Sequence, residues 1–262
     1  MSQPASPPIP RLSATILLVR DRPAFEVLMV KRHHQIDFAS GALVFPGGKT
    51  EASDSDEAWA DRVLGWDQYD PATRTLRIAA IREAYEEAGL LLARTEEGDV
   101  WTGAPEAVAA RSAVARGEAS FFDLVAGFRL KLDLGALTPF ARWITPVMMP
   151  KRFDTHFYLA VAPADQLAVC DGYETVDAEW IPPGEALAMA ADGRRTIIFP
   201  TRMNLKLLAE SRDAQSATAA ALARPGVVVT PWVEQRDTGQ VLVIPPDAGY
   251  GAVEEDLASV GA

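Results

Sequence analysis

Short runs of apolar, β-branched residues alternate with polar turns in the first fifty residues of the chain. Residues 13–20 and 25–31 are two such runs, and Asp21-Arg-Pro23 between them favours a hairpin or a short strand connection. Residues 41–48 predict a third, short strand that runs into a Pro-Gly-Gly turn. Because glycine adopts backbone angles that other residues avoid, this turn can present backbone carbonyl groups to a ligand.

A helical pattern covers residues 76–88 and ends at Gly89, which is typical of a helix C-cap. A short helix is predicted before it, near residues 57–64. The remaining elements follow from the same periodicities. We predict helices over residues 105–116, 120–128, 183–191 and 202–223, strands over residues 136–147, 153–162 and 175–181, and a closing hairpin of residues 227–233 and 240–244.

The order of these elements predicts the fold class. Strands and helices interleave without regular βαβ alternation, so we expect an α/β fold of the α+β type, with helices on a central mixed sheet. We expect a single domain over residues 11–250, because no linker divides the 262-residue chain. Residues 1–10, rich in proline, are predicted to be a flexible tail, and residues 251–262 an acidic C-terminal tail.

Charge and composition limit the partners. The net charge of -11 repels phosphate backbones and anionic lipids, so we expect no nucleic-acid and no membrane partner. A small anionic substrate would then need a local cation, most simply a divalent metal ion. The chain has one cysteine, Cys170, no apolar run of 18 residues and no apolar signal core, which together favour a cytoplasmic protein.

The end of the predicted 76–88 helix carries three crowded carboxylates. Glu83 lies three residues before Glu86 and four before Glu87, so all three side chains share one surface. Like charges at these spacings destabilise a helix by about 0.2–0.5 kcal/mol per pair, and carboxylates in the last turn also oppose the helix dipole. A divalent cation would turn this repulsion into coordination, whereas a solvated acidic helix end is the alternative explanation.

The sequence around these carboxylates resembles the signature of the Nudix hydrolase family. That signature is a Gly, five residues, a Glu, seven residues, and then Arg-Glu-U-x-Glu-Glu-x-Gly-U, where U is bulky and aliphatic. Residues 82–90, Arg-Glu-Ala-Tyr-Glu-Glu-Ala-Gly-Leu, match every charged and glycine position of its second half, and Gly48 matches its start. The resemblance implies a Nudix-like α/β/α sandwich around a mixed sheet, with helical insertions and a C-terminal hairpin.

Three positions depart from that pattern. Asp54 stands at the first Glu position, Ala84 replaces an aliphatic residue, and 27 residues rather than seven separate Asp54 from Arg82. We expect the extra residues, an insertion at about 55–75, to loop out between the glycine turn and the helix, which costs little loop entropy.

The resemblance also implies the chemistry of the site. Glu83, Glu86, Glu87 and a carbonyl of Gly48 or its neighbour are expected to bind Mg²⁺ or Mn²⁺, and Arg82 to orient the carboxylates. The attacking water needs a proton acceptor, for which Glu86 and Glu174 are the candidates. Glu174 lies six residues before Trp180, where a distal carboxylate often lies in this family; it is equally compatible with an ordinary loop position.

The layout of the chain is similar to that of the insertion-bearing acyl-coenzyme A diphosphatases of the family. The expected substrate is a small-molecule diphosphate, coenzyme A or its acyl thioester, cut to 3′,5′-ADP and (acyl) phosphopantetheine. We expect Arg32, Phe45, Lys151 and Arg152 to bind it, because an arginine fork fits phosphate geometry and aromatic rings pack against adenine or acyl groups.

Other interpretations stay open. The same fold can act on ADP-ribose, a dinucleotide or a nucleotide sugar, because substrate choice depends on loops outside the catalytic motif. A Nudix-like binding domain without catalysis is a further alternative, but it predicts loss of the carboxylates that this chain keeps. The hairpin of residues 227–245 is equally compatible with folding onto its own sheet and with pairing across a homodimer interface.

Overall fold

The structure is a computed structural model that describes residues 7–32, 41–168, 175–237 and 239–257. The strands of the central sheet are β1 (Arg11–Arg20), β2 (Glu26–Arg32), β3 (Leu43–Val44), β4 (Gly47–Lys49), β8 (Thr138–Ile144), β9 (Phe153–Val161), β10 (Thr175–Ile181) and β11 (Val228–Val229). Two small sheets contain β5 (Val63–Leu64), β6 (Ala93–Arg94) and β7 (Lys131–Asp133), and β12 (Trp232–Arg236), β13 (Gly239–Val243) and β14 (Glu254–Asp256). The helices are α1 (Pro71–Ala88), α2 (Pro105–Ala115), α3 (Phe121–Gly127), α4 (Pro183–Ala191), α5 (Phe199–Ala209) and α6 (Ala214–Ala223).

The central sheet is mixed, as predicted. Its strands follow the order β10-β2-β1-β9-β8-β11, with β3 paired to β2 and β4 paired to β1. Strand β1 runs antiparallel to β2 and β4 and parallel to β9, so it receives hydrogen bonds from strands that are far apart in the chain. The predicted strands of residues 13–20, 25–31, 136–147, 153–162 and 175–181 are all present, with small shifts of their ends.

Helices cover both faces of this sheet, which confirms the predicted α/β/α layers. Ile16 and Leu18 of β1 belong to a core that includes α1, whereas Leu17 and Val19 belong to a second core with α5 and α6. This alternation is the two-residue period of a strand that is buried on both faces. Among the described residues, no helix is long and apolar enough to cross a membrane.

Helix α1 begins earlier than the sequence predicts. Asp70 caps it by accepting the backbone N–H of Thr73 at 3.0 Å, and Pro71 has no N–H to satisfy at the first helical position. The predicted end is confirmed: Gly89 has a φ of 72°, a left-handed conformation that glycine adopts without steric cost.

The residues predicted to loop out before α1 form two short 3₁₀ helices, Glu57–Asp61 and Trp66–Gln68, instead of the α-helix expected near residues 57–64. A further 3₁₀ helix, Ala52–Ser55, precedes them. Trp59 anchors this segment: its indole N–H donates to the carbonyl of Ser53 at 2.9 Å, and its ring packs on Phe121 and Phe122. Packing of Trp59 on these two residues of α3 therefore holds the insertion against the rest of the domain.

Two predictions for the C-terminal third are wrong. The single helix expected over residues 202–223 is two helices, because Asp213 accepts the N–H of Ser216 at 2.7 Å and starts a new helix there. The first strand expected in the hairpin is divided as well. Its beginning is β11, which joins the central sheet in parallel with β8, and the hairpin itself pairs β12 with β13. Strand β14, in the stretch predicted as an acidic tail, adds to that hairpin.

Candidate active site

The glycine turn lies against the carboxyl end of helix α1. A Cβ atom at Gly47 would come within 2.6 Å of the carbonyl oxygen of Ala14 and 2.7 Å of Cα of Thr15. A Cβ atom at Gly48 would come within 2.7 Å of Cδ of Glu83. Real Cβ atoms do not approach other atoms so closely, so glycine at both positions lets strand and helix approach each other.

Glu83 and Glu87 face this turn from one side of the helix. Both are buried, and the backbone N–H of Gly47 donates to Oε2 of Glu87 at 2.9 Å. Their spacing of one helical turn places both carboxylates at the glycine turn, Glu83 next to Gly48 and Glu87 next to Gly47. The structure thus brings together the turn and two of the three carboxylates that the sequence predicts as metal ligands.

Arg82 connects the remaining parts of the motif. Its Nε and Nη2 donate to the two carboxylate oxygens of Asp54 at 2.9 and 3.2 Å, and Nη2 also donates to the carbonyl of Lys49 at 2.9 Å. Its Nη1 donates to Glu83 at 2.9 Å and to Glu86 at 3.0 Å. Burial alone would lower the pKa of Arg82, but these three carboxylates raise it above its usual range. Arg82 therefore stays charged and orients carboxylates.

Asp54 keeps the place of the longer Glu in the family pattern. It is buried, and its Oδ2 also accepts the backbone N–H of Glu51 at 2.7 Å. The short helix Ala52–Ser55 delivers it to Arg82 before the insertion begins, and α1 returns after it. The insertion therefore loops out, and the 27 intervening residues leave the contact between the two halves of the motif intact.

Glu86 is the helix carboxylate whose surroundings disfavour its charged form. Burial raises its pKa, Arg82 partly opposes this, and the negative charges of Glu83 and Glu51 raise it further, to about 8. Ionisation of Glu86 at neutral pH thus calls for positive charge beyond that of Arg82, and a divalent cation is one source of it.

The donors here are chemically suited to such a cation. Three carboxylates and the backbone of the glycine turn offer only oxygen ligands, which Mg²⁺ and Mn²⁺ prefer. In the described residues, no three acidic, histidine or cysteine side chains already converge on one point. The hydrogen bonds of Arg82 to Glu83 and Glu86, and of Gly47 to Glu87, account for this arrangement. The donor set fits a divalent ion, and binding requires these side chains to turn towards it.

The predicted substrate residues are scattered. Phe45 is buried in the core on the α5 and α6 side, and does not face the end of α1. Arg152 donates to the carbonyls of Thr145 and Pro8, both at 3.0 Å, and Lys151 beside it is exposed. The side chain of Arg32, at the end of β2, and the whole of Glu174 lie outside the described residues.

A second polar cluster lies on strands β8 and β9 of the central sheet, away from the glycine turn. Arg142 donates to the two oxygens of Asp154 at 2.8 and 2.6 Å, and Nε2 of His156 lies 3.6 Å from Oδ1 of Asp154. These hydrogen bonds lower the pKa of Asp154, whereas burial and the charge of Arg142 lower that of His156. The sequence analysis missed Arg142 and Asp154; alternate positions on two adjacent predicted strands were their only signal.

Comparisons with known proteins agree with this geometry. A family model described as the NUDT19 Nudix domain matches residues 64–205, more than half of the chain. The acyl-coenzyme A diphosphatase NUDT19 of Xenopus laevis is 27% identical over 205 residues, 62% of this chain and 54% of that protein. The human protein of the same name is 28% identical over 204 residues, with the same coverage. The chain spans about half the length of these curated relatives.

A solved structure extends the likeness to the whole fold. The NUDIX hydrolase from Alicyclobacillus acidocaldarius is 31% identical and has a TM-score of 0.69, and the match covers 80% of this chain and 96% of that one. The sandwich fold, the assembled motif and both kinds of similarity agree. The chain therefore belongs to the Nudix hydrolase family.

Proposed function

We propose that this Nudix hydrolase cleaves the diphosphate of coenzyme A or acyl-coenzyme A, in a reaction that depends on Mg²⁺ or Mn²⁺. The products are 3′,5′-ADP and (acyl) phosphopantetheine. One observation carries the proposal: a chain similar to proteins named acyl-coenzyme A diphosphatases keeps its catalytic motif assembled across a long insertion. Because the chain spans about half of those relatives, their substrate is a hypothesis here.

The residues at the end of α1 hold the cation in this proposal. Glu83, Glu86, Glu87 and the carbonyl of Gly48 are its ligands, and Arg82 orients the carboxylates from behind. A divalent ion at this place neutralises the charge of the diphosphate and lowers the pKa of the attacking water. The contact of Arg82 with Asp54 would hold the end of α1 in place when Glu83 and Glu86 bind the cation.

A carboxylate takes the proton of the attacking water. Glu86 is the proposed acceptor within the described residues, because its side chain is more exposed than that of Glu83, 15% against 9%, so water reaches it more readily. Glu174 is the second proposed acceptor; it lies outside the described residues. Substitution of each by Gln separates them, because loss of the acceptor lowers kcat more than KM.

The substrate's phosphates and adenine need contacts that the motif does not supply. Lys151, an exposed residue of the loop between β8 and β9, and Arg32 are the proposed phosphate contacts. The guanidinium of Arg152 donates to two backbone carbonyls, so we assign it to shaping the loop between β8 and β9 beside Lys151. Phe45 supports the strand beneath the glycine turn from within the core.

A substrate panel tests the proposal. It contains coenzyme A, an acyl-coenzyme A, ADP-ribose, diadenosine polyphosphates and UDP-glucose, each with Mg²⁺ or Mn²⁺ and with products resolved by chromatography. We expect coenzyme A species to lead in kcat/KM by about tenfold or more. Glu87→Gln should lower kcat by about 100-fold or more, and Glu118→Gln, at an exposed pair with Arg116, should not.

Other outcomes overturn distinct parts of the proposal. If ADP-ribose, a dinucleotide or UDP-glucose leads, the substrate class is wrong and the metal-dependent chemistry stands. If nothing is hydrolysed faster than by Glu87→Gln, the catalytic proposal fails and a binding domain is the better explanation. Activity that survives an excess of chelator contradicts the role of the metal ion.

A further inference from the structure

A cavity of about 390 Å³ lies at the edge of the central sheet, where the pairing of β8 with β9 is irregular between Pro139 and Ala141. The residues that line it include Arg77, Arg142, Arg224 and His156. A chain with a net charge of -11 thus places three of its arginines around one cavity.

Arg77 contributes a buried charge without a carboxylate. Its Nη1 donates to the carbonyls of Leu134 and Leu137 at 2.7 and 2.6 Å, and it forms no ion pair within the described residues. Its buried Nε has no hydrogen-bond partner among those residues. A buried cation that is compensated only by backbone dipoles and aromatic rings is costly, unless an anion accompanies it.

Arg224 lines the other side of the cavity, and Tyr250 and Glu210 are the titratable groups that act on its charge. Its guanidinium lies 4.7 Å from the centre of the Phe140 ring, and its buried Nη1 has no hydrogen-bond partner in the described part of the chain. Burial lowers the pKa of Arg224, which is the usual effect of desolvation on a cation. Asp154 is the carboxylate that pairs with an arginine of this lining, and both of its oxygens are used by Arg142.

The sheet connects this cavity to the metal-binding carboxylates. Gly48 is paired with Ala14, Ala14 with His156, and His156 with Arg142, so the four residues form one row across four strands. Adjacent strands lie about 4.8 Å apart, which places His156 about 10 Å from the glycine turn. Directly paired residues share one face, so His156 and Arg142 lie on the face that carries α1.

We propose that this cavity binds a phosphate monoester of the substrate, a second phosphate group besides the diphosphate that is cleaved. The inference rests on the proposed function, because coenzyme A carries such a group on its 3′ oxygen. Guanidinium groups bind phosphate oxygens through forked, charge-assisted hydrogen bonds, and the partly exposed His156 and Arg142 leave a way in from solvent. Free inorganic phosphate has the same chemistry, so the experiment must separate the two sources.

Titration calorimetry with product-like nucleotides tests the subsite on the 262-residue chain with Mg²⁺ present. We expect 3′,5′-ADP to bind about tenfold more tightly than 5′-AMP, the value of one added charge-assisted contact. In Arg224→Gln and His156→Gln this preference should fall to about twofold or less, and Arg224→Lys should keep part of it. Arg194→Gln is the matched control, because Arg194 is exposed and pairs with Asp192 away from this cavity.

A second measurement does not depend on hydrolysis or on nucleotides. Inorganic phosphate is added to the unaltered chain while imidazole NMR signals of the three histidines are followed, with His156→Gln to assign one of them. We expect the His156 signal to shift, and not to shift in Arg224→Gln. A shift without any preference for 3′,5′-ADP would show a site for free phosphate and overturn the substrate role.

The two proposals fail separately. If coenzyme A is not hydrolysed but phosphate still shifts His156, the proposed substrate is wrong and the anion site stands. If the preference for 3′,5′-ADP is absent, or persists in both Gln variants, and phosphate leaves His156 unchanged, the subsite is overturned whatever the enzyme cleaves. Thermal unfolding of each variant confirms that a lost preference is not lost folding.

Discussion

Two arginines of this chain each bind a carboxylate with two hydrogen bonds, yet their surroundings differ. The side chain of Arg82 is 3% exposed and links Asp54, Lys49 and the helix carboxylates, which come from three parts of the chain. The side chain of Arg142 is 42% exposed and bonds Asp154 on the neighbouring strand. The two hydrogen bonds are 2.9 and 3.2 Å long at Arg82 and 2.8 and 2.6 Å long at Arg142, so the shorter bonds belong to the more exposed pair.

The difference shows that geometry alone does not set the energy of such a pair. Water reaches the guanidinium of Arg142, which is 42% exposed, although Asp154 is only 12% exposed, so we expect this pair to contribute less to stability than the buried network of Arg82. Water cannot take the place of the buried Arg82, and removing Arg82 would leave several carboxylates buried without a cation. The buried network of Arg82 therefore determines both the stability and the chemistry of its region, whereas the guanidinium of Arg142 is open to a ligand from solvent.

The largest effect is expected from Arg82→Gln. Loss of the guanidinium leaves Asp54, Glu83 and Glu86 without their shared partner and should reduce the free energy of unfolding by about 3–5 kcal/mol. Hydrolysis should fall with it, because the carboxylates lose their orientation. Urea unfolding measures the first effect. The matched control is Arg116→Gln, which breaks an exposed pair with Glu118; a loss as small as the control's would contradict the comparison.

A smaller effect is expected from Gly48→Ala. The new Cβ atom would press on the carboxylate of Glu83, which must move, and we expect a cost of about 1–3 kcal/mol in stability. Hydrolysis should fall by more than this cost would suggest, because Glu83 is a proposed metal ligand. Gly184→Ala is the control, since a Cβ there meets no atom within 4 Å. Equal activity of the two variants would show that the close approach at Gly48 has no role.

The smallest effect is expected at the pair of Arg142 with Asp154, and it depends on pH. The hydrogen bonds from Arg142 hold the pKa of Asp154 below its usual range. A lowered folded-state pKa stabilises the protein above the unfolded pKa of about 3.9, and this stabilisation is lost as pH falls through the folded value. Arg142→Gln should therefore cost less than about 1 kcal/mol at pH 7 and almost nothing at about pH 2. An equal cost at both pH values would show that the ion pair is not its source.

Local patterns in the sequence were enough to predict the cluster of the glycine turn and the α1 carboxylates, but not the cluster on β8 and β9. The capping glycine at position 89, the spacing of Glu83 and Glu87 and the glycine turn all follow from neighbouring residues. The family pattern gave Asp54 a place in the motif, but its contact with Arg82 was not predicted, because 27 residues separate the two. What could be predicted was thus set by distance along the chain or by a known motif.

The other cluster could not be predicted because it depends on strand register. Arg142 meets Asp154 and His156 only once β8 and β9 are paired with their particular irregularity near Pro139. The same reason explains the error at β11, whose partner is β8. A one-residue slip would move each of these side chains to the other face of the sheet.

The pairing of β1 has a consequence for how the chain is made. Its partners β2 and β4 follow it closely, but Ser13 bonds Thr155, a residue 142 positions later, and β9 holds the whole other edge of β1. A ribosome therefore releases the first strands well before their parallel neighbour exists. Until then a hydrophobic strand edge stays open to other chains, and we expect nascent protein to depend on chaperones for that interval.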